Sequence, residues 1–261
     1  MNIIVFTDLD GTLLDHATYD WSPAKPALHA LKGNDIPLVL ASSKTAAEIA
    51  PLRAELGFEH CPAIVENGAG VLPAGDHVDE HDVPNYRVIR DALADMPNEL
   101  RAHFRGFGDM DVEDITEITG LSFQDAKRAS ARAFSEPGLW TGTDEQRAAF
   151  TDALKPSGIH ARFGGRFLTL SMGGTKAGRM MDVITMLGLS DPLIVALGDA
   201  PNDIEMLGAA DRAFIIANPH GTPIPPLAGE SDGRVTRTSV EGPAGWNAAV
   251  LSIVSNPTDQ T

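Results

Sequence analysis

Residues 4–13 read Ile4-Val5-Phe6-Thr7-Asp8-Leu9-Asp10-Gly11-Thr12-Leu13. The first half is short, β-branched and aromatic, which predicts a buried strand. The strand ends abruptly in two aspartates spaced i, i+2. Uncompensated buried charge is expensive, so this ending needs a cause, and a bound cation would supply one. Gly11 lets the chain turn sharply just past the strand. A DxDG string also occurs in calcium loops and in ordinary turns. A calcium loop of the EF-hand kind, however, needs further oxygen ligands and a distal glutamate on a helix–loop–helix frame. This string follows a strand instead.

The 261 residues, 43% of them apolar, suffice to bury a core in one large domain or two smaller ones. The longest apolar runs are far shorter than a membrane span. The first residues lack the basic start and long apolar stretch of a signal peptide. A cytoplasmic location with no membrane partner is therefore expected. The single cysteine, Cys61, excludes an internal disulfide and fits a reducing compartment. It precedes Pro62 before a strand and reads as a packing residue. The net charge of −16 argues against a nucleic-acid partner. It would also repel an anionic substrate unless the site gathers positive charge locally. Each lysine or arginine near a site therefore matters. Nothing in the sequence assigns an oligomeric state.

Strand-like and helical patterns alternate at both ends of the chain. Strands are expected at 36–41, 63–66, 193–197 and 213–217, and helices at 26–32, 45–56, 176–187, 202–208 and 246–254. Strands separated by helices mean parallel βαβ units. The middle differs. Helices are expected over 86–96, 112–119, 123–134 and 143–154. Strands over 159–163 and 166–172 follow, joined by Gly164-Gly165, a hairpin signal. The expected organisation is an α/β core over 1–83 and 173–261, doubly wound around a mostly parallel sheet, with an α+β insertion over 84–172.

In open α/β sheets ligands bind beyond the carboxyl ends of strands. The second strand ends in Ser42-Ser43-Lys44-Thr45. A hydroxyl there can bond a phosphate oxygen, helped by the helix N-terminus that follows. Alternatively Ser42 or Ser43 caps that helix, with Glu48 completing a box. Lys44 is a costly residue at a helix start unless an anion lies nearby. The fourth strand ends in Gly198-Asp199-Ala200-Pro201-Asn202-Asp203. Asp8, Asp199, Asp203 and the Asp10 backbone carbonyl would suit magnesium, which takes oxygen ligands. An aspartate N-cap with Pro201 in the first turn explains only one of these carboxylates. Lys176, opening a helix, reads by itself as solvated surface.

Together these strings resemble the four motifs of the haloacid dehalogenase (HAD) superfamily, in order. The resemblance implies Asp8 as nucleophile and Asp10 as general acid/base. It implies Ser42 and Lys176 as phosphate-binding and neutralising groups, and magnesium held by Asp8, Asp10, Asp199 and Asp203. The insertion resembles the cap of the mannosyl-3-phosphoglycerate phosphatases, through Phe107-Gly108-Asp109-Met110, Arg132-Ala133-Phe134-Ser135-Glu136-Pro137 and Gly165-Arg166-Phe167-Leu168-Thr169-Leu170. Ala133, Thr169 and Thr175 stand where that family commonly has glutamate, histidine and aspartate. The implied reaction yields mannosylglycerate, a compatible solute, and phosphate. Other glycosyl phosphates remain open as substrates, as do a mutase and a non-catalytic metabolite-binding protein.

For such a phosphorylated sugar acid, Glu136 would accept from sugar hydroxyls, and Arg132 and Arg166 would pair with carboxylate or phosphate. Lys44 would face the glycerate carboxylate. Ser135, Asn67 and Asn202 complete the expected substrate-binding set. Ser135-Glu136-Pro137-Gly138 also reads as a helix end and turn, and Glu66-Asn67-Gly68 as a simple turn. Gly173-Gly174 and the segment 82–84 are the expected hinges of the insertion.

Overall fold

The computed structural model describes residues 2–75, 83–164 and 166–255. Asp82 of the expected hinge and Gly165 of the expected Gly-Gly turn lie outside the described residues. In chain order the strands are β1 (Ile3–Thr7), β2 (Leu38–Leu40), β3 (Ala63–Val65), β4 (Gly70–Leu72), β5 (Phe104–Gly106), β6 (Ser135–Trp140), β7 (His160–Gly164), β8 (Phe167–Ser171), β9 (Leu193–Gly198), β10 (Arg212–Ala217) and β11 (Val235–Glu241).

All of β1 is buried, and its alternate side chains serve two cores. Ile3 and Val5 pack with Leu28, Leu31, Ile49, Trp246 and Val250. Ile4 and Phe6 pack with Met180, Val183, Ile184, Met206 and Leu207. Helices Lys25–Gly33, Ala46–Leu56 and Gly242–Ser255 thus cover one face, and Lys176–Met186 and Ile204–Ala209 the other. A strand covered on both faces reads as a continuous apolar run, as residues 3–6 do.

The main sheet has the order β11-β10-β9-β1-β2, and every pair is parallel. A bridge from Ala41 to Ile64 brings β3 alongside β2. Winding reverses between β1 and β9, where Thr7 lies opposite Leu197. That reversal is the place where open α/β sheets bind ligands.

A second sheet, β5-β6-β8-β7, is antiparallel throughout and drawn wholly from residues 104–171. Helices Pro84–Ala94 and Asp144–Leu154 pack on it through Ile89, Leu93, Phe150 and Leu154. Helices Val112–Thr119 and Phe123–Ser130 form a small core of their own around Ile115, Ala126 and Phe107.

The helix expected over 123–134 stops at Ser130. The Glu66 carboxylate accepts the N–H groups of Ala133 and Phe134 at 2.9 and 3.2 Å, and so offers those amides a tertiary partner in place of a helical turn. Residues 135–138 begin β6, an interior strand of the second sheet, rather than a turn. Pro137 is tolerated because β5 reaches only 138–140, leaving β8 as its one neighbour. Strands β4, β5 and β11 lie outside the elements that the sequence pattern predicts. Three residues are too few for a periodic signal, and β11 is mostly exposed.

Candidate active site

Asp8 follows β1 and Asp199 follows β9, so the winding reversal sets the two carboxylates side by side. The Asp8 N–H donates to the Leu197 carbonyl at 2.9 Å. Asp203 closes a single 3-10 turn, Pro201–Asp203, and one of its oxygens accepts the N–H groups of Asp199 and Ala200, both at 3.1 Å. Lys176 opens its helix behind the N-cap Thr175. Far from being a solvated surface group, it is buried, and its ammonium meets Asp8 Oδ1 and Asp203 Oδ1, each at 2.6 Å. Carboxylate oxygens of Asp8, Asp199 and Asp203 lie within 4.8 Å of one another.

Asp199 caps no helix. It accepts from the Thr12 hydroxyl at 2.6 Å and from the Asn218 amide at 2.7 Å. Neither residue is marked as a site residue by the sequence reading. Thr12 lies inside the opening motif, and Asn218 directly follows β10, so the rule that sites gather at strand ends points to both. Gly11 is required here twice over. Its φ is +84°, and a Cβ would come within 2.8 Å of Asp199 Oδ2 and 2.5 Å of Asn218 Nδ2.

Burial is the main cause that pushes Asp8 well above the usual carboxylate range. Asp203 and Asp199 add to it, and Lys176 opposes it. Burial likewise raises Asp199, against the hydrogen bonds from Asn218 and Thr12. For Lys176, burial alone would lower the ammonium, but Asp203 and Asp8 outweigh it and hold the charge. Three buried carboxylates thus share one ammonium. Three hard oxygen donors with a charge deficit fit a small divalent cation such as magnesium.

The Asp10 side chain lies outside that carboxylate cluster, which agrees with an expected metal contact through its backbone carbonyl and not its carboxylate. Lys44, arriving from the end of β2, draws one oxygen to 3.0 Å, while the other oxygen is buried with no hydrogen-bond partner among the described residues. Burial would lower the Lys44 ammonium, but Asp10 and Glu48 more than offset it. The helix after β2 is capped by Thr45 in a reciprocal box with Glu48, not by Ser42 or Ser43. Ser42 is left buried at the strand end, its hydroxyl accepting the Lys44 N–H at 3.3 Å.

Asn67, Asn202, Arg132 and Ser135 meet at the junction of the two sheets. The Asn67 N–H donates to the Ser42 carbonyl at 2.9 Å, and the Asn202 amide donates to Asn67 Oδ1 at 3.2 Å. Arg132 donates to the carbonyls of Ser43 and Ala129 and lies over the Phe107 ring. Gly174, at φ +97°, packs so closely that a Cβ would come within 2.4 Å of the Gly68 carbonyl oxygen.

Two expected substrate contacts are placed elsewhere. Glu136 is fully buried and accepts from Arg90 at 2.8 Å, Tyr86 at 2.9 Å and the Gly108 N–H at 2.8 Å. Its carboxylate is spent inside the insertion and presents no oxygen to a sugar. Arg166 is exposed at the β7–β8 turn, donating to the Thr119 carbonyl and stacking on Phe167. That turn is the opposite end of β8 from Ser171, where the chain heads back to the core.

A family model described as haloacid dehalogenase-like hydrolase matches residues 5–115 and 142–222. A glucosyl-3-phosphoglycerate/mannosyl-3-phosphoglycerate phosphatase of Methanococcoides burtonii is 33% identical, over 97% of this chain and 98% of its own. Among solved structures, a haloacid dehalogenase-like hydrolase from Bacteroides thetaiotaomicron superposes with a TM-score of 0.67 at 18% identity, covering 97% of this chain and 100% of that one. The sucrose-phosphatase of Synechocystis, solved with sucrose and phosphate, gives 0.62 at 16% identity, covering 98% and 99%. At such identities the structural likeness shows a common fold. Among the described residues no helix is long and apolar enough to cross a membrane.

Proposed function

We propose, on the premise that this chain belongs to the haloacid dehalogenase-like hydrolases and is a phosphatase, that it hydrolyses a glycosyl-3-phosphoglycerate through an aspartyl-phosphate. The observation that carries the chemistry is the Lys176 ammonium held at 2.6 Å from both Asp8 and Asp203. It lies beside a third carboxylate, at the winding reversal of the sheet. The substrate class is supported by the Methanococcoides relative. With the mannosyl substrate the products are mannosylglycerate and inorganic phosphate. The sequence and its one buried cysteine fit a cytoplasmic enzyme.

Asp8 attacks phosphorus and the bond to the sugar-acid oxygen breaks. Asp10 gives its proton to that oxygen as the alcohol leaves. Asp10 then takes a proton from water, the water oxygen attacks the aspartyl-phosphate, and phosphate and free Asp8 result. Lys176 offsets the repulsion between the Asp8 carboxylate and the anionic ester, and Ser42 donates to a phosphoryl oxygen. Asp8, Asp199 and Asp203 would hold magnesium, which when bound supplies charge stabilisation to the transferring phosphoryl group. Lys44 is proposed to meet the glycerate carboxylate, with Asn67, Asn202, Arg132 and Ser135 bordering the organic part from the sheet junction.

The test is phosphate release with magnesium from mannosyl- and glucosyl-3-phosphoglycerate, sucrose 6-phosphate, trehalose 6-phosphate and simple hexose phosphates. A glycosyl-3-phosphoglycerate should show the highest kcat/KM. A mutase would yield an isomer without free phosphate, and a binding protein would do neither.

A further inference from the structure

Tyr19 adopts φ +57°, a left-handed conformation rare for a bulky side chain. Its loop is built to hold that shape. Asp15 Oδ1 accepts the Ala17 N–H at 3.1 Å, the Thr18 N–H at 2.8 Å and the Thr18 hydroxyl at 2.7 Å. The Tyr19 N–H donates to the Asp15 carbonyl, and the Asp15 N–H to the Asp20 carbonyl, each at 3.0 Å. Yet the ring so carefully placed is not buried, being 47% exposed. Strain and ordered loop together present an aromatic face to solvent instead of packing it into a core.

That face stands at the mouth of the site. The Lys44 ammonium lies 5.0 Å from the ring centroid and 3.0 Å from Asp10 Oδ2. The two distances keep the ring within about 8 Å of the carboxylate that would protonate the leaving oxygen. A sugar attached one short acid away from the ester oxygen extends over that span. An aromatic ring offers an apolar surface for the C–H face of a pyranose, and a phenol for its hydroxyls.

We propose that Tyr19 is the platform on which the pyranose ring of the substrate stacks, and so a specificity-determining residue of this site. This rests on the glycosyl-phosphoester reading above. It explains why the chain invests in a left-handed tyrosine beside Lys44. Lys44 links the two, its ammonium over the Tyr19 ring and beside the Asp10 carboxylate, so the platform and the acid are held through one side chain.

Two variants separate ring from backbone. Tyr19→Asn removes the ring but tolerates the left-handed conformation, whereas Tyr19→Phe keeps the ring. Steady-state kinetics compare mannosyl- or glucosyl-3-phosphoglycerate with 3-phosphoglycerate, which lacks the sugar and is followed as substrate or as competitive inhibitor. Tyr19→Asn should raise KM for the glycosylated ester at least tenfold and change the constant for 3-phosphoglycerate less than twofold. Tyr19→Phe should stay within threefold of the parent on both. Equal losses on both ligands, or no loss on the glycosylated ester, would overturn the platform while leaving the reading above intact. A parent enzyme that accepts 3-phosphoglycerate and cleaves no glycosylated ester would overturn both.

Discussion

The Ser135 hydroxyl donates a 2.6 Å hydrogen bond to Glu66 Oε2, a buried contact that fastens the inserted sheet to the end of β3. Glu66 and Asn67 both lie in the left-handed region, at φ +50° and +58°. Two such residues in succession persist only where the surroundings over-determine them. Here the surroundings do. The Glu66 side chain holds the amides of Ala133 and Phe134, while its own N–H donates to the Lys44 carbonyl at 3.0 Å. The Asn67 N–H holds the Ser42 carbonyl. One short loop therefore grips the insertion with a side chain and the loop after β2 with its backbone.

Replacing Glu66 by alanine should leave two amides and a hydroxyl without their carboxylate. The cost is about 3 kcal/mol of stability, seen as a lower thermal midpoint. Hydrogen exchange should speed up at Ala133 and Phe134 first. Protection there equal to that of the parent protein would show that the contact holds nothing.

Metal dependence is expected from the acidic trio. Activity should vanish in excess EDTA, return with magnesium, and be nearly abolished by Asp199→Ala. Thr12→Val and Asn218→Ala remove only the groups that orient Asp199. They should raise the magnesium concentration for half-activity roughly 10–100-fold and leave kcat at saturation close to the parent's. An unchanged magnesium requirement would separate these residues from the metal.

The two motif aspartates should fail differently. Asp8→Asn deletes the proposed nucleophile and should leave no detectable phosphate release. Asp10→Asn removes the proposed proton carrier along with its ion pair to Lys44 and should slow turnover by about 10²–10⁴-fold. The loss should be smaller for an ester whose leaving group needs no proton, such as a nitrophenyl phosphate. Full activity in Asp8→Asn would refute the assignment.

Tyr86 sets an alkaline limit. Burial, then the neighbouring Glu136 carboxylate, hold its phenol well above the ordinary value. The folded protein thus keeps a proton that the unfolded chain releases from about pH 10 upward, so stability falls as pH rises through that window. Phenolate absorbance at 295 nm from Tyr86 should appear only as the insertion unfolds. Tyr86→Phe should remove this part of the alkaline loss, and a phenolate signal near pH 10 from a folded Tyr19→Phe variant, in which Tyr86 is the one tyrosine left, would contradict it.

Much of the core was legible in the sequence because its signals are local. The run 4–6 shows a strand buried on both faces. Asp8, Ser42 and Asp199 stand where apolar runs stop, and Lys176 stands where a helix starts. Strand ends converge in a parallel sheet, so a polar residue at each end already implies a shared site. What a side chain does once there was decided only by partners distant in sequence. Nothing near Asp10 says that its side chain pairs with Lys44, 34 residues later. Nothing near Glu136 says that Arg90 and Tyr86, 46 and 50 residues earlier, consume its charge. The helix expected over 123–134 ends early, and Glu66 holds the amides of Ala133 and Phe134 beyond it. A carboxylate is free to bind a ligand or is already satisfied according to which donors reach it, and spacing along the chain carries no distance between segments that fold together.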